Sequence, residues 1–271
     1  MENLILKEAN QLFLNGRLQE CISALLQMAP DSKDIKDIAA RFEDNERLYR
    51  KGKRTVDNYD VTKALIRDEV QEFVSGFQSS VYKILFLASN PEQLNPLNYG
   101  KELDEITSIL QRKNNKTLFD IKPKFAAGKL DLINIVNEYK PKLVYFSMHG
   151  TDDNELEFTN AAGRAESLSL DELVEDLKYL SGNNDVKCII FNTCKSDDQA
   201  NAASEFIDYA VGMKQSIDDT ASIVFARGFF EQFFNDSENI PKAFESGILH
   251  LRQHENSGVK ACADVPIIFK H

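Results

Sequence analysis

The sequence predicts an α/β domain, a doubly wound, mostly parallel six-stranded sheet with helices on both faces, preceded by a small all-α domain. Three observations carry that reading. Residues 1–78 hold their apolar positions at helical spacing throughout. From residue 81 onward, short apolar runs alternate with amphipathic stretches joined by short connections, the pattern of strands and helices in one layered sheet. Two of those runs, Leu143–Ser147 and Cys188–Asn192, are β-branched and aromatic without alternation, as in strands buried on both faces.

Taken in order, Leu4, Ile5, Ala9, Leu12 and Phe13 share one helical face, and Asn15-Gly16 stops the run as a C-terminal cap does. A second helix carries Leu18, Ile22, Leu25 and Leu26 and ends before Pro30. A third opens at an Asp31/Ser32 cap and carries Ile35, Ile38 and Phe42; a fourth runs from about Asp60 to Phe77. Between these two, Arg50-Lys51-Gly52-Lys53-Arg54 is a basic patch in an acidic chain, read first as a solvated loop and second as a partner-facing one. The period changes after Ser79-Ser80, which sets the expected domains at 1–78 and 81–271. Strands are then expected at Val81–Ala88, Thr117–Ile121, Leu143–Ser147, Cys188–Asn192, Tyr209–Met213 and near Val265–Phe269. Helices are expected around Leu103–Leu110 and Leu130–Val136, from a Ser169 cap, from about Asp198, over Asp219–Phe234 and from near Pro241. The polar stretch from Thr151 to Ser167 carries a hairpin signal at Glu155-Leu156-Glu157-Phe158.

Composition narrows the function. A formal charge of −11 over 271 residues disfavours a surface that tracks phosphates, so no nucleic-acid partner is expected. The four cysteines, Cys21, Cys188, Cys194 and Cys262, form no CxxC pair and read neither as a zinc site nor as a disulfide framework. The amino terminus lacks the basic start and unbroken apolar core of a signal peptide, and no run of 18 apolar residues occurs; a cytoplasmic protein with no membrane partner is expected. The loop Ser89-Asn90-Pro91-Glu92 has neither glycine pattern that cradles phosphates, which counts against a nucleotide-binding reading.

Each of these two strands, Leu143–Ser147 and Cys188–Asn192, releases a reactive side chain just past its carboxyl end, His149 and Cys194. That edge of an open α/β sheet is where a functional crevice forms, and neighbouring strands lie about 4.8 Å apart. A thiol attacks as thiolate and needs a base within reach, which His149 supplies. The backbone N–H groups of Gly150 and Cys194 are the expected oxyanion donors, and a helix opening near Ser196-Asp197-Asp198 would favour the thiolate through its positive end. Alone, such a cysteine reads as packing and such a histidine as solvated; their matching positions set them apart. His250 and His254 stand four apart, a metal-ligand spacing, but no suitable third ligand is near and a surface stripe is expected. Cys21 reads as core, Cys188 and Cys262 are given no role, and no metal or cofactor is expected.

Lys83-Ile84-Leu85-Phe86-Leu87-Ala88-Ser89-Asn90-Pro91, Val144-Tyr145-Phe146-Ser147-Met148-His149-Gly150, Ile190-Phe191-Asn192-Thr193-Cys194, and Val211-Gly212-Met213 followed by Ala221 to Phe230, together resemble the CHAT family of caspase-like cysteine peptidases. The resemblance spans roughly residues 81 to 271. It implies the caspase-like sheet, a catalytic dyad at His149 and Cys194, and endopeptidase activity on protein substrates without a metal or organic cofactor. Asp218 and Asp219 resemble the acidic position of the pocket that receives the residue before the scissile bond, implying cleavage after Arg or Lys. The plain alternative is that Asp219 caps the following helix. Asn192 departs from the pattern of related metacaspases, which carry an acid two residues before the cysteine. The first 78 residues resemble an effector-associated domain, implying recruitment of an adaptor-domain partner in bacterial defence or regulated cell death; the plain alternative is a stabilising helical cap. A caspase-like scaffold that binds without cutting is the competing reading of the whole chain.

Overall fold

The computed structural model describes residues 2–113, 119–151, 153–183 and 185–271, and it divides into two compact units, Met1–Val81 and Tyr82–His271. In the first unit the described elements are helices: α1 (Glu2–Leu14), α2 (Leu18–Met28), α3 (Lys33–Arg50) and α4 (Val56–Ser80). Ala9, Cys21, Leu25, Ile35 and Val70 are fully buried between them, and burial pushes the Cys21 thiol up to about 11. The starts of α3 and α4 are set by hydroxyl caps: Ser32 accepts from the Ile35 N–H and Thr55 from the Asn58 N–H. α4 therefore begins at Val56, ahead of the Asp60 expected from apolar spacing, because Thr55 nucleates a first turn that buries little. An Arg41–Glu69 ion pair joins α3 to α4. In the turn between them Arg50, Lys51 and Lys53 are exposed, while Arg54 donates to Asn45 and Thr62.

The second unit runs β1 (Tyr82–Ala88), α5 (Tyr99–Arg112), β2 (Phe119–Lys124), α6 (Asp131–Tyr139), β3 (Leu143–Ser147), β4 (His149–Gly150), β5 (Leu156–Thr159), β6 (Ala165–Leu168) and α7 (Leu170–Asn183). It continues with β7 (Cys188–Asn192), α8 (Asp197–Ala203), β8 (Tyr209–Met213), α9 (Asp219–Phe233), α10 (Ile240–Gln253), α11 (Ser257–Ala261) and β9 (Pro266–Lys270). Among the described residues the main sheet has six strands in the order β2-β1-β3-β7-β8-β9. Its pairs are parallel except β8–β9, a mostly parallel α/β sheet compatible with a caspase-like fold. Every residue of β3 and β7 is buried, which is why neither run alternates.

Two cores clamp the sheet. On one face Phe86 stacks on Tyr145, centroids 5.3 Å apart, over the buried phenylalanines of α9. On the other, Phe146 stacks on Phe191 at 5.0 Å above α6, α7 and α8. Burying one such side chain is worth roughly 1.5–3 kcal/mol, so these rings help to hold the two strands that lead to His149 and Cys194. Residues 117 and 118 of the expected second strand lie outside the described residues, and β2 extends on to Lys124; Pro123 is tolerated there because β2 is an edge strand. The stretch after His149 is an ordered three-stranded antiparallel sheet, β4-β5-β6. α11 escaped the sequence reading because its five residues, started by an Asn256 cap, are too short to show a period. Among the described residues no helix is long and apolar enough to cross a membrane.

Candidate active site

β3 and β7 lie side by side in parallel, with Ser147 paired to Asn192. His149 and Cys194 therefore each stand two residues beyond the last pair, on the carboxyl edge of the sheet. Gly150 brings the two chain segments into contact: a Cβ at this position would lie 2.3 Å from the Cys194 carbonyl oxygen. Only glycine permits that approach, so the His149-Gly150 backbone rests directly on that of Cys194.

Each reactive residue is held from behind. His149 Nε2 is 2.8 Å from the Asn95 carbonyl oxygen. A carbonyl only accepts, so this nitrogen carries the proton and Nδ1 keeps its lone pair as a base. Both side chains are half-buried. Past Cys194 the chain turns sharply, with Lys195 in the left-handed region at φ 50°. Ser196 is fully buried; its Oγ lies 3.0 Å from the Phe191 carbonyl and 2.8 Å from that of Thr193, and accepts from the Met213 N–H at 3.0 Å. Its own N–H donates to the Met213 carbonyl at 2.8 Å. Gly212 makes room, since a Cβ there would lie 2.3 Å from Ser196 O. The Cys194 turn is thereby pinned to β8 as well as β7. α8 starts without a side-chain cap, but Asp197 and Asp198 stand in its first turn; their charges offset the positive helix end expected to favour the thiolate.

Sequence reasoning missed Glu102. It lies in the first turn of α5 and is 2% exposed. Its Oε1 accepts from the Tyr145 hydroxyl at 2.6 Å and from Asn192 Nδ2, and the Ser147 side chain also bonds the carboxyl. Burial pushes this carboxyl up to about 7, these hydrogen bonds pull it back in part, and the Asp219 charge raises it further. Asn192 Oδ1 is buried with no hydrogen-bond partner among the described residues. The signal was present: Glu102 shares the buried stripe of α5 with Ile106 and Ile109, at the spacing of one helical face.

Asp218, not Asp219, caps α9, accepting from the Thr220 and Ala221 N–H groups at 2.9 and 3.4 Å. Asp219 is the first helical residue, and both follow β8, the strand next to β7. His250 Nε2 lies 3.4 Å from Glu231 Oε2, while His254 is the C-cap of α10. The described residues hold no group of three or more His, Cys, Asp and Glu placed for a metal. Cys188 is fully buried, and burial raises its thiol far above the ordinary range.

No family model matches the chain. It is 22% identical over 275 aligned positions to a protein of Gillisia limnaea named "Probable protease", an alignment covering 92% of this chain and 48% of that protein. It is 28% identical over 178 residues to a "Roc-COR-CHAT protease" of an unknown prokaryotic organism, covering 63% of this chain and 17% of that protein. These similarities support a CHAT-type protease family. The chain spans about half the length of the first relative and a smaller part of the second.

Proposed function

We propose that this chain is a cysteine endopeptidase of the caspase-like CHAT type, with Cys194 as nucleophile and His149 as base. The observation that carries the reading is the seating of His149-Gly150 on the Cys194 backbone, with the imidazole held through Nε2 by Asn95 so that Nδ1 is the basic nitrogen. In this reaction Sγ gives its proton to Nδ1 and attacks the scissile carbonyl carbon. The Gly150 and Cys194 N–H groups receive the oxyanion. The imidazolium then protonates the leaving amine, and water, with its proton taken by His149, hydrolyses the thioester.

The substrate residue before the scissile bond is proposed to be basic. Asn192 replaces the acid that would sit two residues before the nucleophile, but Glu102 stands directly behind it, and the unpaired Asn192 Oδ1 offers an acceptor. Asp218 and Asp219 complete the acidic lining, Asp218 with one oxygen engaged in its cap. A basic side chain arriving there would favour the ionised form of Glu102. The helical unit, residues 1–78, is proposed as the adaptor that recruits the enzyme to a partner in a bacterial defence or cell-death system. The test is incubation of the protein with a mixed peptide library beside Cys194→Ala. Cleavage after Arg or Lys that the variant loses supports the proposal. Identical product profiles from both proteins would remove Cys194 as nucleophile.

A further inference from the structure

The hairpin after His149 carries a carboxylate that the reaction above does not use. In the antiparallel β4–β5 pair His149 stands directly opposite Glu157, and in β5–β6 Glu157 stands opposite Ser167. Opposed residues of such a ladder share a face, with Cβ atoms roughly 4.5–5.5 Å apart, so His149, Glu157 and Ser167 form one row. The other face of the hairpin is apolar, with Leu156, Phe158 and Leu168 sunk into the core below. Glu157 is 8% exposed. Its Oε1 accepts from Ser167 Oγ at 2.8 Å, and Oε2 is buried with no hydrogen-bond partner among the described residues. An acceptor left so is costly.

The loop after β1 straps this hairpin. Ser89 and Thr159 hydroxyls bond at 2.8 Å, the Glu92 N–H donates to Gly163 O at 3.0 Å, and the Ala165 N–H donates to Gln93 Oε1 at 3.1 Å. The same loop supplies Asn95, whose carbonyl holds the His149 ring. Among the described residues, the other ionisable groups about this edge, besides Cys194, include Glu92, Asp153, Glu155, Lys195, Asp197 and Asp198, and none of these is buried. Of the groups named here, Glu157 is the buried carboxylate of the row.

We infer that Glu157 is a positioning residue for His149, a buried carboxylate that stabilises the imidazolium formed when His149 takes the Cys194 proton. The inference rests on the dyad reading. Ser167 fixes one carboxyl oxygen, and the other, without a hydrogen-bond partner among the described residues, is left available to the ring. Losing an opposite charge at this range lowers a histidine midpoint by about one pH unit, a tenfold change.

Glu157→Gln preserves volume and the acceptor for Ser167 while removing the charge. The chain has four histidines, so ring resonances can be assigned with His149→Ala, and the His149 midpoint can be followed by NMR in Cys194→Ala with and without the second substitution. The expected result is a fall of about one pH unit, together with a basic limb of kcat/KM that moves to lower pH while KM holds. An unmoved midpoint overturns the inference, because a merely structural Glu157 has no reason to shift it. Should Glu157→Gln fail to fold, Glu157→Ala, which also removes the carboxylate, enters the same titration, and an unmoved midpoint there also overturns the inference. The dyad reading fails separately: a wild-type Cys194 that no thiol probe labels in a His149-dependent way refutes the peptidase, whatever the midpoint does.

Discussion

Replacing Glu102 with Gln tests whether the protein keeps a destabilising charge beneath its sheet edge. The glutamine retains an acceptor for Tyr145 and Asn192 and has no proton to lose. In the folded chain the Glu102 carboxyl is raised from 4.5 to about 7, mainly by burial. The native state therefore holds a proton between those values that the unfolded chain has already released. Stability contributed by the protonated group is complete below pH 4.5, declines as pH rises towards 7, and is gone above it. At 1.36 kcal/mol per pH unit the wild type loses roughly 3 kcal/mol over this window. Glu102→Gln should thus match the wild type near pH 4 and exceed it by up to about 3 kcal/mol at pH 8. Urea unfolding followed by circular dichroism across that range measures both curves. Parallel pH slopes, or a variant less stable at pH 8, would rule out a raised Glu102 carboxyl in the native state. Under the proposed specificity the same variant should cut less efficiently after Arg or Lys, so stability and activity should move in opposite directions.

Gly150→Ala cannot be accommodated while the Cys194 carbonyl stays in place; peptide cleavage and Cys194 labelling should fall at least tenfold in a protein that still folds, and unchanged labelling would contradict the contact. Ser196→Ala strands the buried Met213 N–H and should cost about 1–3 kcal/mol in urea titrations; a neutral result would show that this bond does not hold the turn. Asp218→Ala removes the α9 cap and should cost about 0.5–2 kcal/mol. Combined with Asp219→Ala, it should abolish cleavage after basic residues, and an unaltered peptide-library profile would take both aspartates out of the pocket.

The parts of the fold legible in the sequence are those written in local pattern. β3 and β7 announce full burial by lacking alternation, Ser32 starts a helix with a hydroxyl, and the β5–β6 hairpin follows from alternation at Glu155 to Phe158. The shared edge of His149 and Cys194 was readable because it needs only that two parallel strands be neighbours. What escaped depends on distant parts of the chain meeting. Asn95 contributes a backbone carbonyl, which no side-chain motif reveals. Ser196 and Gly212 matter through a contact between β8 and the Cys194 turn, and Glu157 through its register with His149. Glu102 could have been noticed as an acid on an apolar stripe, yet only the structure shows which side chains meet it. The choice between Asp218 and Asp219 as cap turns on one residue of phase, finer than helix ends can be set from composition.

The proposed dyad requires that His149 activate Cys194. The most direct measurement is the rate of Cys194 alkylation by a small thiol reagent as a function of pH, in the wild type and in His149→Ala, with the modified cysteine identified by mass spectrometry. Fast labelling of Cys194 is expected at neutral pH, falling at least tenfold in His149→Ala, while Cys21 and Cys188 react only on unfolding. Equal Cys194 rates in the two proteins, rising only as an ordinary thiol ionises, would contradict it.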